Sequence, residues 1–312
     1  MHNSPLVTII CLCYDHETFV IETLNSVINQ SYNNIELIIV DDFSADNSRQ
    51  VIKDWLINFP KIQFITNEKN LGNTKSFNKA LKLAKGDYII DLAADDVLLP
   101  NCVHFQLEKF EKSDFPNLGV VYGNAELITE NGSFDSYYFA VDSNQKVIEK
   151  RVIGNIYINV LSGGNSLCSV SAMIKKEVLE DLSGFDENLY YEDLDFWIRA
   201  SRKYNFDFID RILIQKRTVK NSLGTNFHKK ADDRSKKINY STYLILKKAL
   251  KLNKTKAENN ALLKRIHFEI ILNFKTRNFN LLLKYIILEI KTRKKLSNIF
   301  LRASTFFNFL KT

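Results

Sequence analysis

The first hundred residues alternate between two hydrophobic patterns. Leu6–Cys13 is an unbroken apolar run rich in β-branched side chains, and Glu17–Asn29 then sets Phe19, Leu24, Val27 and Ile28 on one side of a helix. The alternation repeats through Ile35–Val40, Asp46–Phe59, Ile62–Thr66, Asn73–Ala84 and Tyr88–Leu92. Strands without polar alternation are buried on both faces, and strand–helix–strand spacing of this length calls for right-handed crossovers. The pattern predicts an α/β, Rossmann-like, mostly parallel sheet with helices on both faces.

The middle of the chain is less regular. Val120–Ile128 reads as a strand, Asn131-Gly132 as a turn, and Ser162–Ser166 as a loop. Lys175–Leu182 and Asp193–Lys203 read as helices, and Phe206–Asp210 and Ile212–Lys216 as short strands. From Lys229 onward the pattern is helical, and no Gly or Pro follows Gly224. The predicted division is a domain over 1–225, with halves 1–98 and 99–225, followed by a helical extension over 226–312.

Charge reinforces that division. Residues 226–312 hold 21 Lys and Arg against 5 Asp and Glu, so the overall +7 conceals a strongly basic tail on an acidic body. LLKRIHFEIILNF and FNLLLKYIILEIKTRKK combine helical apolar spacing with basic flanks. Such helices suit an anionic membrane surface or a lipid-linked acceptor, which is the reading adopted. They also suit packing on the main domain or on a second copy as a homodimer. No nucleic-acid motif accompanies the charge, so nucleic acid is not expected. Met1–Pro5 opens no secretory signal, no run reaches spanning length, and Cys11, Cys13, Cys102 and Cys168 form no disulfide or zinc pattern. A cytoplasmic protein, peripheral on the cytoplasmic membrane face, is the expectation.

Candidate chemistry gathers where the strands end. Ligands of open α/β sheets sit beyond the carboxyl ends of the strands. The first four strands end in Tyr14-Asp15-His16, Asp41-Asp42, Asn67 with Asn70-Leu71-Gly72 after it, and Asp95-Asp96. Adjacent carboxylates repel one another unless a cation binds, and Mg²⁺ or Mn²⁺ with phosphate oxygens is the natural partner for Asp95-Asp96. A solvated turn is the competing reading. A carboxylate at Asp42 can accept hydrogen bonds from a base or ribose, which favours a base edge carrying N–H; the alternative is a solvated Asp42 beside a helix capped by Asp46.

Four blocks carry a specific resemblance. They are VTIICLCYDHETFVIETLNSVINQSYNNIELIIVDDFSADNS, NLGNTKSFNKALKLAKGDYIIDLAADDVLLP, GNSLCSVSAMIKKEVLEDLSGFDENL and YYEDLDFWIRA. In order and spacing the chain resembles family 2 glycosyltransferases of the GT-A fold over roughly residues 6–215. The resemblance implies transfer of a sugar from a nucleotide-diphosphate sugar, most simply a UDP-sugar, to an acceptor hydroxyl. It implies an inverting, Mn²⁺- or Mg²⁺-dependent reaction in bacterial surface-polysaccharide assembly, on a glycan or lipid-linked glycan. Residue by residue, it implies Tyr14, Asp42, Asn70, Gly72 and Asp95 for nucleotide and donor, and Asp96 for metal. It implies Asp193 as general base, with Glu192 and Trp197 on the acceptor side. Glu192-Asp193 also suits plain helix N-terminal charge.

Some positions depart from the family pattern. Leu12 and Cys13 replace Pro and a small hydroxyl residue, Ala93 replaces an Asp before the acidic pair, and Phe77 stands where many members have Arg. A His common after the last strands is missing, with His228 the nearest substitute. Two other functions compete: a nucleotidyltransferase, which normally has a Gly-rich basic loop where CLCYDHETF stands, and a catalytically silent nucleotide- or membrane-binding scaffold.

Overall fold

A computed structural model describes residues 4–164, 166–190, 192–219 and 233–309, without the side chains of 192, 233–234 and 298–309. The described chain divides into two compact units. The first holds residues up to 155 with 167–187 and 199–219; the second holds 156–166, 188–198 and the segment from 220 onward. The helical tail therefore recruits two earlier segments that the sequence division at 225 assigns to the main domain. His228 lies outside the described residues.

The first unit contains the sheet. Its early strands are β1 (Val7–Cys13), β2 (Ile35–Asp41), β3 (Gln63–Thr66) and β4 (Tyr88–Ala93), with β5 (Val97–Leu98) next. β6 (Leu118–Ile128), β7 (Phe134–Tyr137), β8 (Met173–Lys175) and β9 (Asn205–Arg217) follow. The order is β3-β2-β1-β4-β8-β6-β9-β5, with β7 paired to β6. β1 to β4 are mutually parallel, as their apolar runs predict; β8 pairs antiparallel to both β4 and β6, so the second half of the sheet is mixed. β8 is the short element that periodicity misses, because three residues run directly into α6 (Lys176–Asp181). β9 merges two expected short strands into one, with register shifts against β6.

The helices α1 (Val20–Ile28), α2 (Ser48–Leu56) and α3 (Asn73–Leu81) connect the parallel strands. Strand order runs β1, β2, β3 one way and then returns past β1 to β4. Right-handed crossovers therefore put α1 and α2 on one face and α3 on the other. The reversal makes a topological switch point between β1 and β4, where ligands of open sheets bind. Buried Val7, Ile9, Ile38, Ile39, Ile89 and Ile90 form the core beneath it. All four cysteines are buried and unbridged, and burial pushes the thiols of Cys13, Cys102 and Cys168 up to about 12.

The second unit contains α5 (Tyr157–Ser162), α8 (Asp233–Leu252), α9 (Lys256–Lys275) and α10 (Phe279–Phe309), numbered after α4 (Cys102–Lys112). Thr255 caps α9 in a reciprocal pair with Glu258, which satisfies two otherwise open backbone donors. Among the described residues, no helix is long and apolar enough to cross a membrane.

Candidate functional site

Sheet register levels the strand ends at one rim. Cys13 pairs with Asp41, Asp41 with Thr66, and Leu12 with Ala93. Tyr14, Asp42, Asn67 and the Ala94–Asp96 turn thus leave the sheet side by side. The amide of Asp42 donates to the Cys13 carbonyl at 2.9 Å, and that of Ala94 donates to the Leu12 carbonyl at 3.0 Å.

The two aspartates after β2 do different work. Arg49 donates two bonds to Asp41 Oδ2, at 3.0 and 2.9 Å, so Asp41 is a buried, neutralised anchor. Asp42 accepts from the amides of Leu71 and Gly72 and from Asn67 Nδ2, each at 2.8 Å. It is buried rather than solvated, and it staples the Asn70–Gly72 turn to β2. Gly72 sits at φ 85° and ψ 160° where α3 begins, a conformation essentially confined to glycine. Asp46 accepts from the amide of Ser48 at 2.9 Å and from that of Glu17 at 2.9 Å, so it ties two loops together as well as starting a helix.

Five bonds join the loop after β1 to the loop after β2. Asp15 and Ser44–Ala45, His16 and Ser48, and Glu17 with Asp46 and Asn47 are the partners. Exposed Tyr14 and Phe43 emerge from this stapled platform, one from each loop.

At the switch point, His16 Nδ1 lies 3.8 Å from Asp95 Oδ1. Asp95 and Asp96 are both buried. Burial first, and then the Asp95 charge, push the Asp96 carboxyl well above the usual carboxylate range, against the pull of Arg217 and Lys216. α1 clamps this turn: Thr23 donates to the Asp96 carbonyl at 2.7 Å, and Ser26 Oγ accepts from the Leu98 amide at 3.1 Å.

In the second unit, Asp193 is the second residue of α7 (Glu192–Lys203), and its Oδ1 accepts from the Leu194 amide at 2.7 Å. Trp197 is buried and meets Phe196 edge-on at 5.0 Å. Asp195 is buried and paired with Lys248 at 3.0 Å.

The family model for glycosyl transferase family 2 matches residues 8–182. The chain belongs to glycosyl transferase family 2.

Relatives of this glycosyltransferase agree. An uncharacterized glycosyltransferase of Methanocaldococcus jannaschii is 29% identical over 69% of the chain and 71% of its own length. A poly-beta-1,6-N-acetyl-D-glucosamine synthase of Staphylococcus epidermidis is 28% identical over 60% of the chain, which spans only 44% of that synthase. The S. aureus TarS 1-349 structure in complex with UDP-GlcNAc matches with a TM-score of 0.63 at 17% identity, over 84% of this chain and 71% of TarS 1-349. The mannosyltransferase PcManGT of Pyrobaculum calidifontis, in complex with GDP-Man and Mn²⁺, gives 0.57 at 15% identity over 95% and 84%. The protein is a glycosyltransferase of GT-A fold, and family membership sets aside the nucleotidyltransferase and silent-scaffold readings.

A divalent cation here would have to borrow most of its ligands from a bound phosphate. No cluster of three or more His, Cys, Asp or Glu occurs among the described residues. A buried carboxylate pair at a strand end nonetheless favours a hard cation that also binds phosphate oxygens. Asp96, with Asp95 beside it, is the pair that would hold one.

One residue that holds the acidic pair carries no motif in the sequence. Arg217 is buried at the end of β9. Its backbone amide donates to Asp96 Oδ1 at 2.9 Å, and its Nε donates to the Asp95 carbonyl at 3.0 Å. Its Nη1 reaches the Thr129 and Glu130 carbonyls, its Nη2 bonds Glu22 Oε2 at 2.6 Å, and the guanidinium lies 4.8 Å from the Phe19 ring centroid. The signal in the sequence is the cationic pair Lys216-Arg217 that follows the apolar Ile212–Ile214 run at the end of β9. Phe77, by contrast, is buried against Phe185, with ring centroids 4.6 Å apart.

Proposed function

We propose that this glycosyltransferase is an inverting, divalent-cation-dependent enzyme that uses a UDP-sugar and a glycan or lipid-linked glycan acceptor in polysaccharide assembly. The observation that carries the reading is the buried Asp95-Asp96 pair at the switch point, with its raised Asp96 carboxyl, beside the stapled Tyr14–Asp42 rim. The UDP, UDP-GlcNAc and GDP-Man complexes of the structural neighbours supply precedent for a nucleotide donor, and the named synthase supplies one for polysaccharide.

In this reading Tyr14 stacks on the base, and Asp42 accepts its ring N–H. Oδ2 of Asp42 takes one bond from Gly72, and a carboxylate oxygen can take two. A ring N3–H selects uracil over cytosine. Asn70 and Gly72 line the nucleotide, Asp95 meets the donor sugar, and Asp96 holds Mn²⁺ or Mg²⁺. When bound, the cation supplies charge neutralisation to the leaving diphosphate. The acceptor oxygen attacks the anomeric carbon, the bond from that carbon to the diphosphate oxygen breaks, and Asp193 takes the hydroxyl proton. A single displacement inverts the anomeric centre. Glu192 and Trp197 lie on the acceptor side.

Thermal shift with UDP, GDP and CDP, each with and without Mn²⁺, tests the reading. A bound nucleotide raises the melting temperature by mass action. The expected result is stabilisation by UDP with Mn²⁺, absent in Asp96→Ala. Equal shifts with CDP, or a UDP shift indifferent to Mn²⁺ and to Asp96→Ala, would overturn it.

A further inference from the structure

α9 and α10 form a hairpin through the turn at Thr276–Asn278, where the Asn278 amide donates back to the Asn273 carbonyl at 2.9 Å. Each helix buries one apolar face: Leu262, Ile266 and Leu272 on α9, and Leu281, Tyr285 and Leu288 on α10. A helix of a globular unit normally turns polar residues outward. These two do not. Phe268, Ile271 and Phe274 are 52%, 56% and 64% exposed at helical spacing on α9. On α10, Phe279, Leu283, Ile287 and Ile290 are 55%, 59%, 51% and 61% exposed, again on one side. Single exposed apolar residues are ordinary; a contiguous stripe on two joined helices marks an interaction surface.

The charge around the stripe says what covers it. Lys264 and Lys275 share the exposed side of α9, Arg277 is exposed in the turn, and Lys291 and Lys294 border the α10 stripe. The carboxylates of the hairpin are already engaged: Glu258 in its cap, Glu269 with Arg265, and Glu289 with Arg293 and His267. The unpaired charge beside the apolar stripe is therefore positive. A second copy would set cations against cations, whereas anionic headgroups would pair with them.

We propose that the α9–α10 hairpin is a monotopic membrane-binding face, lying on an anionic lipid bilayer with its exposed Phe, Leu and Ile side chains below the headgroups. At the turn, Phe274 and Phe279 enter the lipid while Lys275 and Arg277 stay at the headgroups. The proposal rests on the helical unit and is independent of the donor and of the transfer chemistry.

Flotation of the full chain tests it with phosphatidylcholine vesicles, with and without about 30% phosphatidylglycerol. The expected result is flotation with anionic vesicles and at least about tenfold less with neutral ones. The triple variant Leu283→Gln, Ile287→Gln, Ile290→Gln should lose flotation about tenfold or more while keeping its circular-dichroism melt, since all three positions are exposed. Lys275→Glu with Lys291→Glu and Lys294→Glu should do the same. Wild-type protein that stays below anionic vesicles overturns the proposal. So does a folded apolar triple variant that floats as well as wild type. If that variant instead converts a dimer to a monomer with flotation unchanged, the surface belongs to a second copy.

Discussion

The backbone amide of Arg217 donates to the carboxylate of Asp96 at 2.9 Å, across 121 residues of chain. The last strand of the sheet thereby sets the position of the carboxylate that the proposed cation needs. The same residue's side chain ties down the Asp95 carbonyl, the β6–β7 turn and α1.

Arg217→Ala should cost about 2–3 kcal/mol, by leaving the buried Asp95 carbonyl unpaired and removing the packing of a buried side chain. Arg217→Lys should recover little of this, because an ammonium cannot reproduce the planar fork that reaches several acceptors at once. Urea melts measure the loss. A lysine variant within about 0.5 kcal/mol of wild type would contradict the fork argument.

Gly72→Ala separates conformation from space. A Cβ at Gly72 meets nothing within 4 Å, yet φ is +85°. The cost should be about 1–3 kcal/mol, from backbone strain alone. The turn that Asp42 holds should loosen with it, so UDP affinity by calorimetry should fall along with the melting temperature. Unchanged stability would show that the turn relaxes without cost.

Phe43 adopts φ 66° and is 48% exposed. Left-handed backbone is costly for a bulky L-residue and free for glycine. Phe43→Gly should therefore raise stability by about 0.5–1 kcal/mol, after the larger unfolded-state entropy of glycine is deducted. Denaturant melts decide it; a destabilised variant would mean that Phe43 makes compensating contacts.

Asp193→Asn should lower kcat about 10²- to 10⁴-fold, the usual contribution of a positioned general base. The KM for donor should change little, because the acceptor proton is not part of donor binding. The amide oxygen can still accept from the Leu194 amide, so the fold should survive. Full activity in this variant would remove Asp193 from the chemistry.

Much of the first unit was legible in the chain. The runs of β1, β2 and β4 lack regular polar alternation because both faces are covered, and that pattern encodes a parallel sheet. The motifs at their ends, Asp41-Asp42 and Asp95-Asp96, were legible too, since a strand end is where polar residues must begin. The separate jobs of Asp41 and Asp42 were not. They depend on Arg49, Leu71 and Gly72 arriving from other elements.

By itself the sequence determined the element types of the first half, the rim where the acids gather and the family, because local periodicity and short motifs are properties of neighbouring residues. Only the tertiary structure decided that β8 inserts antiparallel between β4 and β6, that segments 156–166 and 188–198 join the helical tail, and that Arg217 anchors the acidic pair. It also decided which apolar side of α9 and α10 is covered. The physical reason is common to all four: each depends on which distant partner satisfies a hydrogen bond or buries a face, and helical or strand spacing does not name that partner.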